Sequence, residues 1–155
     1  MTFTAIGYWR EPKYVWLPDE RRFNFEGWSE DFWLADPARV VESHGGCDPD
    51  PLIISYLRGG KEFAAWRGLS SCRFECGIPD ELMGYRCLTD GAWVWPEGLA
   101  HYVERHRLPL PDEFTRVTHA HHGQVPDGAL SDSSPEGRQA IDRSFWNDWY
   151  VALTS

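Results

Sequence analysis

The sequence has no apolar run near the roughly 18 residues that a membrane-spanning helix requires. Its opening, Met1 to Gly7, has neither a basic start nor a long apolar segment, so no signal peptide is expected and the chain reads as soluble and cytoplasmic, with no membrane partner. Positive charge is also in short supply. Fifteen Lys and Arg stand against 24 Asp and Glu, a net charge of −9 with His neutral. Nucleic-acid binding depends on clustered cations against phosphates, so no nucleic-acid partner is expected, and a pair such as Arg21-Arg22 is too short to change that. An acidic surface favours solubility or a basic protein partner. Cysteine is scarce as well, at four residues. In a cytoplasmic chain long enough to bury a core unaided, these read as reduced thiols or metal ligands rather than disulfides. Catalytic signatures are missing: there is no nucleophile elbow, phosphate loop, zinc-protease motif or CxxC pair. Nor is there an internal repeat.

Aromatic side chains are abundant, with nine Trp, six Tyr and eight Phe in 155 residues. A core built from large flat rings is expected, with any surplus available to a binding surface. Residues 3–9 read as a first strand. Residues 10–33 hold Trp16, Phe23, Phe25, Trp28, Phe32 and Trp33 with no clear period, and read as an irregular aromatic-rich segment. Two helices follow with the same punctuation, Asp36-Pro37 to Gly45-Gly46 and Asp50-Pro51 to Gly59-Gly60. The Asp caps free N–H groups, Pro fits the first turn, and Gly permits a left-handed exit. A short strand is expected over 63–66. Asp90-Gly91 between apolar runs predicts a hairpin in which both turn residues take positive φ. Pro96 is expected to open a helix reaching about His106, burying Leu99, Tyr102, Val103 and His106. A further helix is predicted over 112–122, an exposed loop over 124–133, and a C-terminal helix over 134–153 in which Ile141, Phe145 and Trp149 form one row. The expectation is a single α+β domain over 1–155, a small mainly antiparallel sheet with four or five short helices packed against it.

The chemistry-bearing residues concentrate between Cys72 and His106. Cys72 and Cys76 have three residues between them, and His101 and His106 have four, both within the spacing of paired zinc ligands. A cysteine turn, a hairpin and a helix carrying two His form a ββα arrangement suited to a closed, structural zinc site. Three features oppose it. The pairs are 24 residues apart, about twice the usual finger spacing. Positions five apart on an ideal helix are rotated by about 140°, so His101 and His106 converge only if the helix end distorts. Cys87 competes as a ligand in a three-Cys, one-His set. The plainer alternative is buried thiols acting as small hydrophobes, with His106 packed under Pro109.

Three other groupings stand out. His119, His121 and His122 at a helix end suit a transition metal or a pH-sensitive patch, or a solvated end complementing the helix dipole. Asp90, Glu97 and His101 contain an i, i+4 acid–base pair, although Asp90 is also a turn residue and Glu97 a first-turn carboxylate. Cys72 beside Arg73 is a candidate reactive thiol.

The runs Gly68-Leu69-Ser70-Ser71-Cys72-Arg73-Phe74-Glu75-Cys76-Gly77, Leu88 to Val103, and Leu110-Pro111-Asp112-Glu113-Phe114 resemble a family of uncharacterised bacterial proteins. That family carries a Cys-Arg-x-Cys-Gly segment, a Thr-Asp-Gly turn followed by Trp-x-Trp-Pro-Glu-Gly-Leu-x-His-Tyr-Val, and a Leu-Pro-x-x-Phe close. The opening Ile6-Gly7-Tyr8-Trp9 is similar too, and the resemblance spans about half the chain. This sequence departs by one extra residue between Cys72 and Cys76. The resemblance implies a bacterial source and one compact domain, and transfers no activity. Two function classes follow from the residues. The first is a non-enzymatic interaction protein of the immunity or antitoxin kind, with an acidic surface for a basic partner. The alternative is a metal-dependent or small-molecule-binding enzyme centred on Cys72, Cys76, His101 and Glu97.

Overall fold

A computed structural model of the protein describes residues 2–10, 33–65, 69–128 and 141–155. The expected irregular segment (11–32 of it), the second half of the 124–133 loop and the start of the predicted C-terminal helix lie outside the described residues. Eleven elements run in the order β1 (Phe3–Ala5), α1 (Pro37–His44), α2 (Pro51–Arg58), β2 (Lys61–Ala65), α3 (Asp80–Met83), β3 (Arg86–Thr89), β4 (Trp93–Pro96), α4 (Leu99–Arg105), α5 (Asp112–Ala120), β5 (Ile141–Asp142) and α6 (Ser144–Thr154). The class is α+β, as the sequence predicts. The five-stranded sheet has the order β2-β3-β4-β1-β5. It is mixed: β2-β3 and β3-β4 pair antiparallel, whereas β1 pairs parallel with both β4 and β5. No described helix is long and apolar enough to cross a membrane.

The period-two geometry of the strands sorts side chains onto two faces. Leu88 and Trp95 join the large core with Tyr56, Leu57, Leu99, Tyr102, Phe114 and Trp146. Their neighbours Cys87 and Val94 point the other way, into a smaller cluster with Phe3, Ala5 and Phe63. Trp95 is fully buried and donates its indole N–H to Leu57 O at 3.0 Å, joining β4 to α2. The close approach requires Gly60: a Cβ there would lie 2.7 Å from Trp95 Cζ2 and 2.8 Å from Leu88 Cβ.

Local signals account for most helix ends. Asp36 and Asp50 accept from Ala38 N and Leu52 N at 3.0 and 2.9 Å. Gly45 exits left-handed at φ 88°. Gly59 does not, with φ −88°, so the second stop is set by packing at Gly60 rather than by a left-handed cap.

Four further expectations are corrected. Strand β1 ends at Ala5 rather than at residue 9, and from Ile6 onward the chain turns into the core. In the β3–β4 loop only Gly91 has positive φ, 98°. Asp90 instead accepts from Ala92 N (2.9 Å) and Trp93 N (2.7 Å), a side-chain turn that replaces the second left-handed residue. Pro96 ends β4, and α4 starts at Leu99, because the 96 position pairs with Cys87 in the sheet. Ile141 is in β5, paired with Phe3, and the C-terminal helix begins only at Ser144. Asp142 caps it, accepting from Ser144 N at 2.9 Å and Ser144 Oγ at 2.6 Å. The row Ile141, Phe145, Trp149 is therefore not a helix face. Trp146 is the buried anchor, donating to Tyr8 O at 2.7 Å.

Candidate metal centre

The cysteine turn lies between β2 and α3 and is shaped by two left-handed residues, Glu75 (φ 50°) and Gly77 (φ 88°), with Glu75 N donating to Cys72 O at 3.1 Å. It is held against α4 from above and below. The Tyr102 hydroxyl accepts from Arg73 N at 2.9 Å and donates to Ser71 O at 3.4 Å. Burial pushes the Tyr102 hydroxyl up to about 12, so it stays protonated and keeps the donor role. The Phe74 ring stacks on His106, centroids 4.2 Å apart and planes 13° apart.

The histidines come from the two ends of α4. His101 lies in its first turn, its N–H bonded to Gly98 O at 3.0 Å. His106 lies just past the last turn, at φ −118° and ψ 11°. The chain then reverses through Arg107 at φ 56°, and the Tyr102 carbonyl accepts from both His106 N (3.0 Å) and Leu108 N (3.2 Å). This departure from helix geometry cancels the rotation that would separate the two rings. His101 Nε2 and His106 Nε2 are 3.2 Å apart.

Cys72 Sγ lies 3.3 Å from His106 Nε2, and Cys76 Sγ lies 3.4 Å from His101 Nε2. The donor atoms of Cys72, Cys76, His101 and His106 all fall within 4.8 Å of one another, close enough to hold a metal ion. Cys72 and His101 are buried, at 7% and 9% exposure, and Cys76 is exposed. Burial lowers both imidazoles below the ordinary histidine range, with the neighbouring His106 adding to the effect on His101. The neutral ring, the form that ligates metals, is therefore favoured. Burial raises the Cys72 thiol above its ordinary value, with the neighbouring Cys76 adding to the effect. That direction gives no support to a low-pKa reactive Cys72.

Cys87 does not compete. It is buried on the opposite face of the sheet, where Tyr8 donates a hydrogen bond to its sulfur at 3.0 Å. The cluster His119, His121 and His122 is dispersed. His119 pairs with Asp50 at 2.6 Å, His121 stacks on Tyr56, and His122 turns the chain at φ 53°. Among the described residues, the group Cys72, Cys76, His101 and His106 alone brings three or more potential ligands together.

The acid–base grouping is not assembled either. Asp90 receives the Tyr56 hydroxyl at 2.6 Å in addition to its loop bonds. Glu97 precedes α4 rather than sitting in its first turn. It accepts from Tyr85 N (2.7 Å), Arg86 N (3.2 Å) and Arg86 Nε (2.9 Å), and pairs with Arg86 Nη2 at 2.8 Å. Gly84, at φ 83°, leaves the space this carboxylate fills. Burial alone would raise Glu97, but Arg86 and the two backbone donors outweigh it and hold the carboxyl below its usual range. A depressed folded value means that the stabilisation is present at neutral pH and is lost as pH falls through and below the ordinary Glu value of about 4.3. Glu97→Gln is expected to cost about 1–3 kcal/mol near neutrality and progressively less as pH falls below the ordinary Glu value, measured by urea unfolding at neutral and acid pH. An equal loss at both would assign Glu97 to packing alone.

The supports Tyr102 and Phe74 carry no sequence signal of this role; Tyr102 reads only as a core position of α4. No protein-family model matches the chain, and neither does any curated protein or solved structure compared with it.

Proposed function

We propose that Cys72, Cys76, His101 and His106 hold one zinc ion in a closed structural site. The protein built around it is a non-enzymatic interaction protein of the immunity or antitoxin kind, using its acidic surface for a basic partner. The observation that carries the metal is the convergence of two sulfurs and two imidazole nitrogens from segments far apart in sequence. Tetrahedral zinc with Zn–S near 2.3 Å and Zn–N near 2.0–2.1 Å requires ligand atoms about 3.3–3.8 Å apart. Three of the six separations, 3.2, 3.3 and 3.4 Å, lie at or just under the short end of that range, and all six are within 4.8 Å, so small side-chain shifts would complete the geometry. A soft thiolate pair with two imidazoles suits zinc over oxygen-seeking cations. Four protein donors leave no coordination position for water or substrate, and Asp90 and Glu97 are committed to structural bonds.

The partner side of the proposal is supported by the net charge of −9, which would steer a basic protein into encounter. Elemental analysis of untagged protein tests the metal. Cobalt substitution tests closure, since the absorption of a closed tetrahedral site stays unchanged when imidazole or cyanide is added. Pull-down against the products of neighbouring genes tests the partner: a basic protein whose association rate falls with salt is expected, and recovery of no stable complex would count against the interaction role.

A further inference from the structure

The two sulfur ligands are unequally sheltered. Cys72 is buried, whereas Cys76 is exposed and sits between two exposed left-handed residues, Glu75 and Gly77. We propose that Cys76 is a peroxide-reactive thiol whose oxidation joins it to Cys72 in a reversible disulfide and so releases the metal. The release rests on the zinc reading; the disulfide does not.

Of the four cysteines, the fold pairs these two. Their sulfurs lie within 4.8 Å of each other, and the two thiols form a hydrogen-bonded pair. Cys87 is on the other face of the sheet with its sulfur held by Tyr8, and the Cys47 thiol donates to Leu108 O at 3.6 Å. Cys72 is the anchored member. Before it, Ser70 N donates to Gly84 O at 2.8 Å, and after it Arg73 N donates to the Tyr102 hydroxyl at 2.9 Å. Cys76 rides on the crest of the turn, where even a Cβ on Gly77 would meet nothing within 4 Å. The crest has room to shift toward Cys72, the movement that disulfide geometry requires.

Bound zinc keeps both sulfurs as thiolates, the nucleophilic form. The Cys76 thiolate attacks hydrogen peroxide: an S–O bond forms, the O–O bond breaks, and the departing hydroxide takes a proton and leaves as water. The Cys72 thiolate then attacks the sulfenic sulfur of Cys76. An S–S bond forms, the S–O bond breaks, and the second oxygen leaves as water after protonation. Two electrons pass from the sulfurs to the peroxide. Only the two imidazoles remain as donors, so the zinc dissociates. A dithiol reductant reverses the step by exchange and frees both sulfurs to bind zinc again.

Untagged protein is treated with hydrogen peroxide near neutral pH, both as isolated and after a chelator has removed any metal. Zinc is followed with a chromophoric chelator, and the state of each cysteine is mapped by peptide mass spectrometry. The expected result is a Cys72–Cys76 disulfide with stoichiometric zinc release, while Cys47 and Cys87 stay reduced. Dithiothreitol and added zinc should restore the starting state. With dimedone present during the reaction, the first adduct is expected on Cys76. The order of attack is thus read in the parent protein and does not depend on a variant folding. Cys72→Ser removes the resolving thiol and should raise the Cys76 adduct about tenfold. A first adduct on Cys72, Cys76 carried on to sulfinic acid with Cys72 still free, or oxidation of Cys47 ahead of Cys76 would overturn the proposal. Zinc retained beside a formed disulfide would overturn the release. If the isolated protein holds no metal, the zinc reading fails and the release with it, while the presence or absence of the disulfide still decides the reactivity of Cys76.

Discussion

Cys72→Ser is expected to abolish metal binding and to lower the melting temperature by about 8–16 °C while leaving most of the helix and sheet content in place. The size follows from linkage. A ligand present at a thousand times its dissociation constant stabilises the native state by about 4 kcal/mol, and for a domain of this size each kcal/mol is worth about 2–4 °C. Retention of the fold follows from the core. Trp95, Tyr56, Phe114 and Trp146 are fully buried without help from the metal ligands. The damage should be local, loosening the 69–78 turn toward protease, since its attachments to the α4 side are Phe74 on His106 and the Tyr102 hydroxyl while Ser70 N stays bonded to Gly84 O. Cys87→Ser is the control. It disturbs the smaller core cluster on the other face of the sheet and should lower stability with metal content intact. Equal stability of the parent protein with and without a strong chelator, together with no bound metal, would remove the structural site.

Trp95→Ala is expected to cost about 3–5 kcal/mol in urea unfolding, as for other large aromatic-to-alanine changes in a core. The indole is fully buried, contacts Tyr56 and Phe114 at ring-centroid distances of 6.1 and 5.6 Å, and donates to Leu57 O. Truncation leaves a cavity and an unpaired carbonyl at the end of α2 together. Metal content should be unchanged in the native fraction, because Trp95 joins β4 to α2 and α5, whereas the ligands hang on α4 and the cysteine turn. A loss below about 1 kcal/mol would show that Gly60 and Leu88 close the space without penalty.

The sequence by itself determined the features that a few adjacent residues can encode. Asp36-Pro37 and Asp50-Pro51 start α1 and α2 where capping chemistry puts them, Asp90-Gly91 turns the β3–β4 hairpin, and the α+β class follows. The four candidate ligands were legible as two locally spaced pairs, Cys72 with Cys76 and His101 with His106.

Whether the pairs meet was decided only by the tertiary structure. The 24 residues between them fold into α3, β3 and β4, whose hydrogen bonding returns the chain to the cysteine turn. Packing also decided what local rules misassigned. Sheet pairing with Cys87 holds Pro96 in a strand, and pairing with Phe3 draws Ile141 out of a helix. The two-residue alternation of β3 places Cys87 on the face away from the other cysteines, and the non-helical φ of −118° at His106 accompanies the approach of its ring to His101. Caps and turns are short-range free-energy preferences of neighbouring atoms. Convergence of distant segments depends on which apolar faces are buried together, and that is a property of the whole chain.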